Sequence, residues 1–250
     1  MRIGFSVAQC GRLAQPDAVV AAVRAAEQLG YSSVWLCNSL LDPAGVLATA
    51  AGATTHVRLG ASLVLAPDQD PSARPGRWRR STSSARAGSP WPLGVPPGSP
   101  EDGMEAILDA LDACWPGTSG PPRYLAGMTD ATLARVARRA DGWSPLGVPV
   151  EFLAPMWATV QGLGRSYGRD LDDLKLVVRA GTLLTPAPIG GARASYQGDA
   201  EQVARDVEAT WRMGADEVVL RLHGDLSLDD ALDGYARIAE AAELREAQRA

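Results

Sequence analysis

The sequence is poor in the residues that build metal centres and disulfides. Its 250 residues include two histidines and three cysteines, and the cysteines lie far apart without the spacing of zinc ligands. We therefore assign no metal site. An odd number of widely spaced thiols is typical of a reduced, cytoplasmic protein.

Long apolar runs and an excess of basic charge are missing as well. No stretch approaches the roughly 20 apolar residues of a membrane span, and the N-terminal residues read directly as a strand, without a signal-peptide pattern. A net charge of -5 argues against nucleic acid as the main partner. With 46% apolar residues, the chain can bury a sizeable core. We expect a cytoplasmic protein without membrane or nucleic-acid partners.

Strand and helix patterns alternate in the first part of the chain. Val57–Pro71 has the strongest strand character. Its apolar residues come to occupy both sets of alternating positions, as in a parallel strand that is covered by helices on both faces. Strand patterns at Arg2–Val7 and Ser33–Cys37 precede it. Between these two, a helix pattern begins at Pro16 and ends at Gly30. A second helix pattern, Ala44–Ala53, precedes the strongest strand.

The alternation resumes after residue 100. Strand patterns lie at Arg123–Ala126, Gly142–Leu146, Leu174–Leu184 and Glu217–Leu222, and helix patterns at Glu101–Cys114, Thr129–Ala140, Glu151–Tyr167, Asp199–Met213 and Leu228–Ala247. Seven strands alternating with seven or eight helices predict an α/β fold, a (β/α)8 TIM barrel formed by one domain over residues 1–250. An open doubly wound sheet is the alternative.

Ser72–Gly98 breaks this pattern where the third helix and fourth strand are expected. The segment holds five prolines, a basic and serine-rich run, and a thin apolar island at Trp91–Val95. Such composition is typical of an irregular surface insertion. We therefore expect a barrel with an irregular or disrupted unit over residues 72–98.

Four stretches outside this segment resemble the bacterial-luciferase-like family of flavin- and deazaflavin-dependent oxidoreductases: GYSSVWLCNSLLDP, HVRLGASLVLAP, PRYLAGMTDATLARVARRADGWSP and GDAEQVARDVEATWRMGADEVVLRL. The resemblance implies a TIM barrel that binds FMN or coenzyme F-420. It also implies hydride transfer or oxygen activation, as in a monooxygenase, on a small organic substrate. A homodimer is compatible with it.

The ends of the strands carry few acids, bases or metal ligands, which favours a cofactor that performs the chemistry. Backbone N–H groups at a helix start bind phosphate, and the resemblance places the flavin phosphate at the turn Ala126, Gly127, Met128 and Thr129. It places Ala61, Ser62 and Leu63 behind the flavin ring, with a non-prolyl cis peptide at Ser62–Leu63.

Two further residues are site candidates. Asn38 could hydrogen-bond the flavin edge, although many deazaflavin-dependent relatives have an acid and a histidine in this neighbourhood. His223 ends the last strand, and it is the histidine placed for proton transfer. The ordinary alternatives are that Asn38 is a turn residue and that His223 is a surface or capping residue.

Two other interpretations stay open. Permitted codons for Ser72–Pro97 can be read in the neighbouring frame as an amphipathic, family-like helix, so a frame shift could have left a non-catalytic or cofactor-deficient barrel remnant. A phosphate-binding isomerase or lyase would need a Lys or Glu base at a strand end. Lys175 instead begins its strand, so we rank this class last.

Overall fold

The structure is a computed structural model that describes residues 1–8, 16–37, 49–64, 91–94, 102–114, 122–224 and 226–244. Its strands are β1 (Ile3–Ala8), β2 (Ser33–Cys37), β3 (Arg58–Val64), β4 (Trp91–Gly94), β5 (Arg123–Leu125), β6 (Gly142–Trp143), β7 (Lys175–Leu184), β8 (Gln197–Gly198) and β9 (Glu217–Leu222). Its helices are α1 (Pro16–Leu29), α2 (Asp102–Cys114), α3 (Asp130–Arg139), α4 (Val150–Ser166), α5 (Ala200–Arg212) and α6 (Leu228–Ala241). Within these ranges, no helix has the length and apolar character needed to cross a membrane.

Eight parallel strands form a closed ring. Their order is β1-β2-β3-β4-β5-β6-β7-β9, and β9 pairs back onto β1. The two-residue β8 lies outside this ring and pairs with the C-terminal end of β7. The predicted (β/α)8 barrel is confirmed, and the open doubly wound sheet is excluded because the ring closes.

The fourth strand comes from the apolar island of the irregular segment. In β4, Leu93 pairs with Leu63 of β3 on one side and with Leu125 of β5 on the other. The interruption in composition therefore does not open the ring. The rest of Ser72–Gly98 lies outside the described residues.

Several boundaries differ from the sequence patterns. The helix predicted over Leu228–Ala247 ends at Ala241, because Glu243 has a φ of 51° that a right-handed helix cannot continue. The strand predicted over Gly142–Leu146 keeps only its first two residues, and Leu146 forms a single bridge to Arg179. The sequence patterns did not indicate β8.

An aromatic cluster fastens the last helix to the first strand. The ring of Phe5 stacks on Tyr235 with centroids 4.1 Å apart, and Tyr31 meets both rings edge-on. The Tyr31 hydroxyl donates to the Tyr235 carbonyl at 2.8 Å, and the Tyr235 hydroxyl donates to the Ser6 carbonyl at 3.0 Å. The first of these buried hydrogen bonds ties α6 to the turn before β2, and the second ties it to β1.

An ion pair between the buried Glu217 and the half-buried Arg58 lies at the N-terminal end of the barrel interior. Glu217 is 2% exposed, and its Oε2 accepts a hydrogen bond from Nη2 of Arg58 at 2.8 Å. The Ser33 hydroxyl donates to the same carboxylate and accepts from Nε1 of Trp35 at 2.8 Å. A buried carboxylate is stable only with such partners, so the charge at this end of the barrel is compensated.

Glu27 on α1 holds the chain just before β3. Its carboxylate accepts hydrogen bonds from the backbone N–H groups of Thr55 and His56 and from the hydroxyls of Thr54 and Thr55. Burial raises the pKa of Glu27, but these hydrogen bonds outweigh it and lower the pKa to about 2. The ionised form is therefore favoured in the folded protein.

This contact predicts a loss of stability in acid. The folded pKa of Glu27 lies below its ordinary value of 4.5, so its contribution is complete above about pH 4.5 and is lost as the pH falls towards 2. We expect Glu27→Gln to be less stable than the wild type at neutral pH and to lose less on acidification. Urea unfolding between pH 7 and pH 2.5 measures this difference. Glu208→Gln, on the surface of α5, is the control. An equal acid dependence in Glu27→Gln and the wild type would contradict the prediction.

Candidate functional site

Side chains on the ring strands divide into two sets because successive residues of a strand face opposite sides. Trp35, Tyr124, Val177 and Val219 form a cluster of their own, separate from the main core under the helices. These four therefore face the barrel interior. Burial raises the pKa of Tyr124 to about 12, and the charge of Glu217 adds to the increase, so its hydroxyl stays neutral.

The same alternation identifies the residues that face the C-terminal end of the ring, which we call the mouth. Active sites of such barrels lie at this end. Inward-facing positions on β1, β7 and β9, or directly after β6 and β9, are Ser6, Ser144, Arg179, Gly181, Arg221 and His223. The mouth thus combines two arginines and a histidine with small or hydroxyl-bearing residues.

Arg179 and Ser144 contact each other on neighbouring parts of the ring. Nη2 of Arg179 donates to the Ser144 carbonyl at 3.0 Å. The Ser144 hydroxyl is buried and has no hydrogen-bond partner in the described part of the chain. Nε of Arg221 is likewise buried and has no partner there. Buried polar atoms are nearly always hydrogen-bonded, so each of these two atoms can take a polar partner that the described residues do not supply.

His223 follows β9 directly. Its backbone N–H donates to the Thr182 carbonyl at 2.8 Å, and the residue is exposed. A Cβ at Gly181 would lie 2.5 Å from Nε2 of His223, so the imidazole ring covers the space that this glycine leaves open. The structure places the histidine at the mouth, and its role in proton transfer stays a prediction.

The predicted phosphate turn joins β5 to α3. Thr129 caps α3, and its hydroxyl accepts from the Thr132 N–H at 3.1 Å. Gly127 has a φ of 121°, a region that side chains other than glycine rarely adopt, and its carbonyl accepts from Nε1 of Trp143 at 2.8 Å. Gly127, Met128 and Thr129 are exposed, so the turn is open to a ligand.

The expected cis peptide at Ser62–Leu63 is not found. No peptide bond is cis in the part of the chain that the structure describes. Ala61 and Ser62 pair in regular register with Leu36 and Cys37, and Leu63 pairs with β4. Continuous strand pairing on these residues fits an ordinary trans backbone. Asn38 lies outside the described residues.

The ring order sets the relation among the candidates. Ala61–Leu63 lies on β3, and Ala126–Thr129 follows β5, with only β4 between these strands. His223 follows β9, which is three steps around the ring from either β3 or β5. The cofactor candidates therefore share one side of the mouth, and the histidine faces them from the other. In the described ranges, no group of three or more His, Cys, Asp or Glu residues could hold a metal ion.

Arg179 and Arg221 were missed by the sequence patterns. Both are single charged residues inside otherwise apolar strand runs, LKLVVRAGTLL and EVVLRL. A charge on the inward parity of a barrel strand is the signal that could have identified them, because charged side chains are rarely placed in an interior unless they have a partner.

Comparisons with known proteins agree with the fold. Residues 2–73 match the family model of luciferase-like monooxygenases, so the resemblance seen in the sequence is confirmed for that range. No curated protein sequence matches the chain.

Three solved structures illustrate the likeness. An F-420-dependent secondary alcohol dehydrogenase with an F-420–acetone adduct is 12% identical with a TM-score of 0.74 (96% of this chain, 98% of that chain). The monooxygenase RslO1 from Streptomyces bottropensis is 14% identical with a TM-score of 0.73 (98% and 100%). The oxygenating constituent of 3,6-diketocamphane monooxygenase from Pseudomonas putida, in complex with FMN, is 11% identical with a TM-score of 0.67 (97% and 98%). At these identities the likeness establishes a shared barrel fold.

The contact between Gly181 and His223 predicts a specific spectroscopic change. Gly181→Ala brings a methyl group to 2.5 Å from Nε2 of His223, so the ring has to rotate away. We expect the proton NMR resonances of the His223 ring to shift. Those of His56, the second of the two histidines, provide the internal control and should stay in place. His223→Gln assigns the signal. An unchanged His223 resonance in Gly181→Ala would show that the ring does not lie over residue 181.

Proposed function

We propose that the chain is a luciferase-like oxidoreductase that binds FMN or coenzyme F-420 in the mouth of a single barrel domain and acts on a small organic substrate. The observation that carries the proposal is the match of residues 2–73 to luciferase-like monooxygenases. These residues supply β1, β2 and β3 of a barrel whose ring closes. The F-420- and FMN-containing structures with the same fold support both cofactors.

The open turn after β5 fits the phosphate of either cofactor. Gly127 is exposed and has a φ of 121°, and without a side chain its backbone lets an N–H group approach a phosphate closely. Asp130 lies in the first turn of α3, and its charge weakens the pull of the helix N-terminus on an anion. We therefore assign phosphate binding to the backbone N–H groups of Gly127 and Met128, together with Thr129, and not to the first turn of α3.

The remaining candidates border the same space. Ala61, Ser62 and Leu63 would support the face of the ring system, and Asn38 would hydrogen-bond its edge. A bound flavin or deazaflavin supplies hydride transfer, and a flavin can also activate oxygen. The chain itself orients the cofactor, limits access of water to the mouth, and offers Nε2 of His223 as a proton donor or acceptor.

Titration with FMN and with coenzyme F-420 tests the proposal. We expect saturable binding of at least one, seen by absorbance and fluorescence. Gly127→Ala should weaken that binding at least tenfold through loss of the phosphate contact, while the affinity for riboflavin, which lacks the phosphate, stays the same. Gly214→Ala, with a φ of 104° after α5 and no atom within 4 Å of an added Cβ, is the matched control for backbone strain. Failure of the wild type to bind either cofactor would refute the proposal.

The alternative function is a barrel remnant that no longer holds a cofactor, and the composition of Ser72–Gly98 favours it. The match to luciferase-like monooxygenases ends at residue 73, where this composition begins. If a frame shift caused the change, the neighbouring frame of the coding DNA encodes the sequence of an amphipathic helix. Restoring that frame over Ser72–Pro97 should then create cofactor binding that the present chain lacks. A neighbouring frame without such a helix would eliminate this explanation.

A further inference from the structure

We infer that Trp143 is the positioning residue of the turn after β5: its indole holds the Gly127 carbonyl so that the N–H group of Met128 faces a phosphate. The inference rests on the proposed function, which assigns the phosphate to this turn. Trp143 is fully buried, so it acts through a single peptide group and not by contact with the ligand.

The strand register fixes the place of Trp143. It is the last residue of β6, pairs with Leu125 of β5, and lies in the main core under the helices. Gly142, the residue before it, is so close to β7 that an added Cβ would collide with the Lys175 carbonyl oxygen. Because β6 is packed closely on both sides, the indole is held in one position on the helix side of the ring.

The indole N–H links β6 to the turn. Nε1 of Trp143 donates to the Gly127 carbonyl at 2.8 Å. A backbone hydrogen bond lies beside it, from the Ser144 N–H to the Leu125 carbonyl at 2.8 Å, but it reaches only to two residues before Gly127. Gly127 has a φ of 121°. Glycine populates positive and negative φ about equally, so a contact such as the indole bond is needed to select one of them.

The planarity of the peptide group converts this contact into an orientation of the Met128 N–H. The peptide bond between Gly127 and Met128 is trans, and the C=O and N–H bonds of a trans peptide point in opposite directions. The carbonyl points to an indole in the packed layer, so the N–H points to the exposed side of the turn. Met128 is 55% exposed, and its N–H has no hydrogen-bond partner among the described residues.

Helix α3 does not use this peptide group. The Thr129 hydroxyl accepts from the Thr132 N–H at 3.1 Å, and the Thr129 carbonyl accepts from the Leu133 N–H at 2.9 Å. The helix therefore satisfies its first donors from Thr129 onwards. A phosphate oxygen that accepts from the Met128 N–H would polarise the peptide and make the Gly127 carbonyl a better acceptor, because hydrogen bonds in a chain strengthen one another.

Cofactor titration of Trp143→Phe in the full chain tests the inference. FMN is compared with riboflavin, and F-420 with an analogue that lacks the phosphate group. Phenylalanine keeps an aromatic ring but has no N–H donor. We therefore expect the phosphate-bearing ligand to bind at least tenfold more weakly, while the affinity of the ligand without phosphate changes less than twofold.

Trp35→Phe is the matched control. The buried indole of Trp35 also donates one hydrogen bond, to the Ser33 hydroxyl at 2.8 Å, but at the N-terminal end of the barrel. This variant should leave the ratio of the two affinities unchanged. Equal losses for both ligands in Trp143→Phe, or no loss for either, would show that Trp143 is a core residue without a positioning role.

A second measurement needs no variant. Inorganic phosphate is added to the wild type labelled with ¹⁵N, and the Trp143 indole signal is assigned by its nuclear Overhauser contacts with Gly127. We expect its N–H proton to move downfield as phosphate binds. The indole signal of Trp157, a buried tryptophan on α4, should stay in place. A saturable shift of the Met128 amide without movement of the Trp143 indole would overturn the inference.

The inference and the proposed function can fail separately. A wild type that binds FMN or F-420, with the same preference for the phosphate in Trp143→Phe, would refute the positioning role alone. Phosphate binding that moves the Trp143 indole, in a protein that takes up neither cofactor, would refute the oxidoreductase and support the positioning role. A wild type that binds neither a cofactor nor inorganic phosphate would refute both.

Discussion

The structure depends on β9 pairing along both of its edges. One edge pairs with Ile3–Phe5 of β1 and the other with Val177–Thr182 of β7, so the last strand joins the first strand to the seventh and closes the ring. Without this double pairing, the inward-facing residues would border an open sheet with no enclosed mouth. The stacked rings of Phe5 and Tyr235 reinforce the closure from outside, because they pack α6 against β1.

β9 also places ionisable residues at both ends of the barrel interior. It carries Glu217 at the N-terminal end, Arg221 near the mouth and His223 just beyond the strand. The acid is compensated within the fold, whereas the arginine keeps a buried nitrogen without a partner in the described ranges. Along the inward face of this one strand, a compensated charge thus lies at the N-terminal end and an uncompensated nitrogen lies near the mouth.

Sequence patterns could predict the barrel because strand and helix periods alternate along most of the chain. They failed where local composition and tertiary pairing disagree. Trp91–Gly94 is a short strand with a proline inside it, and proline is unfavourable within a sheet. Its strand state comes from the neighbours β3 and β5. The end of α6 was missed because a single backbone angle at Glu243, and no change in composition, terminates the helix.

The candidate site shows a similar division. His223 could be placed at the mouth because it ends a strand, but the arginines were passed over as ordinary charges in apolar runs. Only the parity of the closed ring shows that they face inward. The expectation at Ser62–Leu63 came from a resemblance, and the backbone of β3 does not follow it. A resemblance transfers an architecture more safely than it transfers one unusual peptide bond.

The compensated pair at Glu217 and the arginines near the mouth have a joint consequence for the path of a ligand. On β9 the carboxylate of Glu217 is compensated by Arg58 at the N-terminal end, whereas Arg221, nearer the mouth, keeps its Nε without a hydrogen-bond partner among the described residues. A cationic group in such a position attracts the electron-rich end of a molecule before contact is made. The strand that closes the ring would therefore also contribute to the orientation of a molecule that enters it.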